Sequence, residues 1–546
     1  MSSRSLGQRA PLLWLVVPLM AGLAAGRAQA FLPVPGLLAG AALAAGLAIA
    51  AGGRGGGRLW APALGAALLL AGAASYALHR PRLTAWAALP PREARLGLRV
   101  DRVFFKAEAG RTAGLATVVR AEGPVRELVG QRLYFSLARR PGGPAPVRGA
   151  VVTATGVLAA LPPAPPVNSF DGFLANAGMN FRLGRGEVLG EERPAPAYRR
   201  FCARMLERFS ALLGAGVAAK RPALVGVLRA MLLGQQHELS EEQNTRYRQS
   251  GTMHVFSISG LHIAVIAAGL HALLSLLRLP RTGALLLGLG ALWLYVDITG
   301  GAPSAVRAWV MVAFVQVSRA LRVPRNPLAA LAASALLVLL AAPLDLFSAS
   351  FQMSYGIVAA LLLLGLPLSD QWLEAGALFR DLPPASWAWH HRLRDELWRG
   401  LLAATAIGVA ASLVSTVTSA QFFNLFTPGA LLVNLWLIPA SSLVILLGLV
   451  SLLSGLLGLT AGSVLANHAA VLVLWGVDQG VQLSLRLPGM WCAATFRAPW
   501  LGDAALAALL ASMLAGYAHG WRGWCRGYWP PLAVVALALA GGLRLG

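Results

Sequence analysis

GTMHVFSISGLHIAVIAAGLH, residues 251–271, decides the fold. The stretch is apolar and of membrane-spanning length, yet it carries Ser257, Ser259, His254, His262 and His271, which hydrocarbon tolerates poorly. Polar groups placed in a span mark a pathway or a reactive centre. The rest of the chain agrees with a membrane setting: of 546 residues 57% are hydrophobic and 12% charged, and mean hydropathy is +0.64. This composition defines a polytopic α-helical membrane protein. The net charge of +24 is almost wholly arginine, because Lys106 and Lys220 are the only lysines. Anionic lipid, nucleic acid and the cytoplasmic bias of membrane loops each account for a basic excess, and only its placement separates them.

Upstream, three apolar segments (11–26, 31–51 and 59–78) fall within residues 1–80. Pro18 and the spans that follow at once argue that the first is a retained helix rather than a signal peptide. Arg4, Arg9, Arg54 and Arg58 on one side, against Arg27 on the other, place the N-terminus in the cytoplasm. Residues 92–193 then change to charged positions interleaved with short β-type runs at 96–105, 114–119, 132–137 and 149–158. That spacing predicts an inserted extracytoplasmic all-β domain, a small barrel or sandwich. Its Arg99, Arg102, Arg111, Arg120, Arg126, Arg132, Arg139, Arg140 and Arg148 outnumber Asp101, Glu108, Glu122 and Glu127. A positive-inside bias does not explain an external basic domain, so either a polyanion binds there or these are ordinary solvated faces. Candidate polyanion contacts are Arg99, Arg102, Arg111, Arg120, Arg132, Arg139 and Arg140, which the family resemblance below would make DNA contacts.

Residues 197–219 read as an amphipathic helix on the membrane surface, with Tyr198, Phe201, Met205, Phe209 and Leu212 on one side and Arg199, Arg200, Arg204, Glu207 and Arg208 on the other. Ten further apolar segments run from 253 to 543, divided here into a bundle at 224–457 and C-terminal helices at 460–546. Basic clusters at alternate breaks put the start of the span at 253 outside, in register with the N-terminal orientation. Trp387, Trp389 and Trp398 beside the loop arginines read as an interfacial belt. Cys202, Cys492 and Cys525 have no CxxC or His/Cys spacing, so no disulfide framework, metal site or cofactor is expected. Neither lysine follows a glycine, which excludes a Walker A loop and places any motor in another protein.

Polar residues recur in several spans. His254 with Ser257, and Ser259 with His262, are i,i+3 pairs that meet if the region is helical. A serine beside a histidine suits a nucleophile and base, but no third orienting group or oxyanion hole is visible, and helix–helix hydrogen bonding is the plainer alternative. Arg307 lies one turn into the segment after Pro303, behind Ser304. Either Asp297 partners it across the glycine-rich turn, or it meets phosphate in a wet vestibule. Gln352 and Ser354 form a third patch, and Asn424 with Asn434 a fourth around a broken helix. Four patches in different spans suggest one shared polar cavity.

The succession GTMHVFSISGLHIAV, GGAPSAVRAWVM, FSASFQMSY and FFNLFTPGALLVNLWLIP resembles the competence domain of the ComEC family, DNA-uptake channel proteins of naturally transformable bacteria. VNSFDGFLANAGMNFRL resembles the end of that family's external OB-like domain. The resemblance implies a non-enzymatic channel importing one DNA strand across the inner (plasma) membrane, with pilus components delivering DNA outside and a cytoplasmic helicase inside. It also implies that His254, Ser257, Ser259, His262, Asp297, Ser304, Arg307, Gln352, Ser354 and Asn434 line or gate the path. Many members carry a metallo-β-lactamase-like domain whose HxHxDH motif is matched by none of the nine histidines, so that domain is expected to be missing. Two other readings remain: a transporter of lipid-linked or small anionic solutes, and an intramembrane serine hydrolase using Ser257 or Ser259 with His262.

Overall fold

The computed structural model describes residues 10–28, 33–53, 57–80, 86, 90–104, 110–139, 146–162, 165–322, 326–379, 382–383 and 386–545. Arg140, expected to contact DNA, lies outside them, as do Arg4, Arg9, Arg54, Arg325 and Arg380 of the orientation argument.

Three helices open the chain: α1 (Leu13–Ala28), α2 (Val34–Gly53) and α3 (Gly57–His79). Small residues let α1 and α3 touch backbone to backbone. A Cβ at Gly22 would lie 2.0 Å from the Leu69 oxygen, and one at Gly26 would lie 2.9 Å from that of Ala73. Because both positions advance together, α1 and α3 run parallel and their C-terminal ends lie on one side.

Five strands follow: β1 (Arg92–Phe104), β2 (Arg111–Ala121), β3 (Arg132–Arg139), β4 (Val151–Ala160) and β5 (Phe181–Arg193). They close a barrel in the order β1-β2-β3-β5-β4, an OB-like order, with β3 and β5 parallel and the other pairs antiparallel. Alternation along β1 turns Leu96, Leu98 and Val100 into the core while Arg95 and Arg99 face out. The short helix α4 (Phe170–Asn176) joins β4 to β5, capped by the Ser169 hydroxyl, which accepts from the Gly172 N–H at 3.0 Å. Strand β5 goes beyond the sequence reading, which saw four. Only Phe181 and Leu183 of its thirteen residues are fully buried, and apart from Val188 and Leu189 the remainder is glycine and charge. Gly186 is required there, since a Cβ would sit 1.8 Å from the Thr155 oxygen where the β4–β5 register slips.

The helices that follow are α5 (Ala197–Gly214), α6 (Pro222–Leu233), α7 (Glu241–Gln249), α8 (Gly260–Leu276), α9 (Arg281–Ile298), α10 (Pro303–Ala320) and α11 (Pro327–Ala341). The apolar faces of the next five were anticipated, but their lengths differ: α12 (Ala349–Ala375), α13 (Trp389–Phe423), α14 (Ala430–Leu456), α15 (Thr460–Leu485) and α16 (Pro499–Ala518). The sequence placed α13 at 401–417, whereas it absorbs the preceding charged loop, and Trp398 inside it donates to the Gly376 carbonyl at 2.8 Å. A π-helical turn at Leu361–Gly365 interrupts α12. The last apolar segment is no uniform span: α17 (Trp529–Leu537) gives way to a π turn and a strand. That strand, β8 (Leu543–Leu545), pairs with β7 (Cys492–Phe496), which in turn pairs with β6 (Leu425–Phe426).

Among the described residues eight helices are long and apolar enough to cross a membrane, and the chain is a multi-pass membrane protein. It divides into two compact units: residues 1–207 with 294–301 and 310–351, and residues 208–293 with 302–309 and 352–546.

Candidate functional site

The site grows from the place where residues 251–271 fail to stay helical. Met253–Phe256 makes one 3-10 turn, residues 257–259 are extended, and α8 begins at Gly260. Backbone freed by such a break needs new partners in a membrane. Side chains supply them here. The Ser257 hydroxyl donates to the His254 carbonyl at 3.3 Å, and the Ser304 hydroxyl at the start of α10 donates to the Ile258 carbonyl at 2.7 Å. The Ser259 N–H donates to His262 Nδ1 at 3.2 Å, and the Ser259 hydroxyl meets the same nitrogen at 2.9 Å.

This geometry fixes the histidine's chemistry. A nitrogen that accepts a backbone N–H has its lone pair committed, so the ring proton sits on Nε2. His262 is fully buried and its Nε2 has no hydrogen-bond partner among the described residues. Because Nδ1 already accepts the backbone N–H, the Ser259–His262 pair acts as a helix cap rather than as a nucleophile with a free base. The other i,i+3 pair does not join its side chains: His254 Nδ1 faces the Gly251 carbonyl at 3.1 Å, and Ser257 reaches the His254 backbone.

Two helices close on the break. Cβ atoms at Gly260 and Ala308 would be 4.0 Å apart, and Arg307, between Ser304 and Ala308 on that side of α10, is 1% exposed. Gly251, at φ +69°, comes so near the start of α14 that a Cβ would lie 2.6 Å from the Ala430 Cβ. Asn434, one turn further along α14 on the Ala430 side, has a buried Oδ1 with no partner among the described residues. The second break, before α14, is also held: Asn424 (φ +57°) ends α13, the Ala494 N–H donates to its carbonyl at 3.1 Å, and the Gly429 N–H donates to the Met490 carbonyl at 3.2 Å.

Other expected residues belong elsewhere. Gln352 Nε2 donates to Asp503 Oδ1 at 3.3 Å, and Gln421 Nε2 reaches the same oxygen at 2.7 Å. The sequence reading did not select Asp503 or Gln421, because the segment was begun one residue after Asp503. Ser354 is half-buried on α12. Asp478, also missed, sits within α15 and accepts from Tyr247 Oη at 3.1 Å and from Gln482 at 2.9 Å, with Arg246 at 3.5 Å. Its signal was a lone carboxylate in an apolar run, in LWGVDQG. Asp297, in the first unit, takes Arg199 at 2.5 Å and Arg148 at 3.2 Å, partners the sequence did not suggest.

On the barrel, Arg99 faces Asp101 at 3.5 Å and Arg120 pairs with Glu192 at 2.9 Å, both on the surface. Arg111 donates to the Ser136 carbonyl at 3.2 Å, and Arg102 lies over the Phe104 ring at 5.2 Å. Burial, with Arg148 adding to it, holds the Arg102 guanidinium below its usual pKa. Arg132 is exposed and Arg139 half-buried. Arg95, not selected from sequence, lines a shallow cleft with Arg120, Thr153 and Glu192. Among the described residues no group of three or more His, Cys, Asp or Glu is placed to hold a metal ion, and all three cysteines are free.

An OB-like five-stranded barrel in one unit and apolar helices with polar breaks held by side chains and strand backbone define a polytopic helical membrane protein with an inserted β-barrel domain. The chain belongs to the ComEC-type competence protein family: the family's sequence model, described as Competence protein, matches residues 231–523. A curated relative, ComE operon protein 3 of Bacillus subtilis (strain 168), is 33% identical over 142 residues, which is 26% of this chain and 18% of the relative. No solved structure matches the chain.

Proposed function

We propose that the protein is an inner-membrane channel for import of single-stranded DNA during natural transformation, without an enzymatic step of its own. The capped break at 257–262 supports this most, because it lies inside the family-matched stretch, holds the buried His262, and packs through Gly260 against Ala308 of α10, next to the buried Arg307. Irregular backbone at membrane depth belongs where a wet path passes, and guanidinium suits phosphate oxygens. In this reading the N-terminus is cytoplasmic and the basic barrel is outside, where Arg99, Arg102, Arg111, Arg120, Arg132 and Arg139 meet DNA brought by pilus components. A cytoplasmic helicase draws the strand inward. His254, Ser257, Ser259, Ser304, Gln352 and Ser354 belong to the path or its gate.

The test is import of fluorescent duplex DNA, scored after external DNase, in cells lacking the protein, carrying it, or carrying His262→Ala. Import only with the intact protein is expected. If deletion changes nothing, the channel reading is wrong. If removing residues 92–193 leaves transport of a small anionic solute intact, the solute-transporter reading replaces it.

A further inference from the structure

Helix α4 leaves two phenylalanines on the outside of the barrel. Phe170 and Phe173 are 49% and 45% exposed, and their rings stack with centroids 6.0 Å apart. Tyr134 and Phe104 of the barrel wall support them, at 5.1 Å from Phe170 and 6.5 Å from Phe173. Arg182 lies over the Phe170 ring at 5.9 Å and pairs with Asp171. A contiguous apolar surface on a small polar domain marks a place that something covers.

The position of α4 identifies the cover. Gly178, just past the helix, approaches Leu344 so closely that a Cβ would lie 2.9 Å from its Cδ1. Leu344 belongs to the 3-10 turn Pro343–Phe347 that follows α11. At the end of that turn Phe347 meets Tyr76 edge-on at 5.6 Å and carries Arg27 over its ring at 4.6 Å. Tyr76 is in the last turn of α3, a helix long and apolar enough to span, and Arg27 is in the last turn of α1. Helix α4, about 10 Å long at 1.5 Å per residue, therefore lies at the level where spans leave the bilayer. Arginine with aromatic rings is the composition of that interfacial layer.

We propose that Phe170 and Phe173 insert at the headgroup–acyl boundary, with Arg182 at the level of the lipid phosphates, so that the barrel is seated on the bilayer by α4. Lipid is favoured over nucleic acid because the exposed rings have no polar tip and stand beside the ends of the spans. The inference rests on the multi-pass architecture and not on the DNA-import reading.

The test uses the full chain in phosphatidylcholine/phosphatidylglycerol nanodiscs, with Cys202, Cys492 and Cys525 replaced by alanine and a nitroxide attached to Phe170→Cys or Phe173→Cys. Collisions favouring oxygen over a water-soluble nickel chelate are expected, unmoved by a single-stranded oligonucleotide. Nickel-favoured collisions at both positions overturn the proposal, and so does nickel access lost only when the oligonucleotide is added, which assigns the pair to nucleic acid. A second variant needs no cysteine changes: Phe170→Ser/Phe173→Ser should raise hydrogen exchange of residues 165–180 several-fold while β1–β3 stay protected. Unchanged exchange of that segment also overturns the proposal.

Discussion

Asp297→Asn should loosen the barrel's attachment within its own unit. The carboxylate is 5% exposed and holds two guanidiniums, Arg199 and Arg148, whose side chains are 26% and 39% exposed. Removing one partner of a fully buried pair costs about 3–5 kcal/mol, and partial exposure of both arginines screens this to about 2–3 kcal/mol. At about 1.4 kcal/mol per factor of ten, local opening becomes roughly 30- to 100-fold more frequent. Hydrogen exchange with mass analysis reads this directly, at 149–155 beside Arg148 and at 198–206 in α5, with β2 and β3 as internal references. A double-mutant cycle locates the coupling: Asp297→Asn with Arg199→Gln should depart from additivity by about 1–2 kcal/mol. Unchanged exchange refutes the argument. Coupling to Arg307 in place of Arg199 would restore the pairing that the sequence suggested.

Gly251→Ala should destabilise the second unit by about 1–3 kcal/mol, through the positive φ and the overpacked Ala430. Thermal aggregation in detergent checks it, and an unshifted midpoint rejects the contact. His262→Ala removes the cap of α8 at a cost of about 1 kcal/mol, whereas Ser259→Ala leaves the backbone N–H on Nδ1 and should cost less. Equal losses on denaturant titration would count against this division of roles. On the barrel, Glu192→Gln frees Arg120 and should tighten binding of single-stranded DNA, while Arg120→Ala should weaken it. The salt dependence should then fall by about 0.7 in log–log slope for Arg120→Ala, and affinities insensitive to both changes would place DNA elsewhere.

Much of the architecture was legible in the sequence because hydrophobic periodicity survives without tertiary context. The spans from α8 to α16 read from apolar runs, and four barrel strands read from alternation such as Leu96, Leu98 and Val100 against Arg95 and Arg99. Strand β5 did not, because its glycines and charges serve a register slip and only Phe181 and Leu183 are fully buried, with Val188 packing at the edge of the core. The ends of α13 and the final π turn with β8 were misjudged for the same reason: helix length there is set by packing and strand pairing, which hydropathy does not encode. In the candidate site, Ser259 and His262 were paired correctly by spacing, but the spacing did not say that the shared atom is Nδ1 or that the backbone N–H uses it. Asp503 was missed because a carboxylate near the start of a helix looks like a loop charge until its partners Gln352 and Gln421 are in place, whereas Asp478, inside an apolar run, carried a signal that the reading passed over.

The two helix breaks differ from accidental kinks in how they are held. Around 257–262 side chains hold the freed backbone: Ser257 reaches residue 254, Ser304 reaches residue 258, and His262 takes the Ser259 N–H together with its hydroxyl. Around 424–429 backbone does the same work, through Ala494 of strand β7 and Met490 just before it. A kink that merely relieved a proline or a poor sequence would have no reason to be tied from elsewhere in the chain, as these are from α10 and from residues 490–494. Among the described residues the buried polar side-chain atoms left without a hydrogen-bond partner at these breaks include His262 Nε2, Asn434 Oδ1 and, three residues before Asn424, Gln421 Oε1. The first is a donor and the other two are acceptors. In the proposed import reading, donor and acceptors together suit a substrate that carries phosphates and nucleobases better than a simple anion, which would meet the asparagine oxygen only as repulsion.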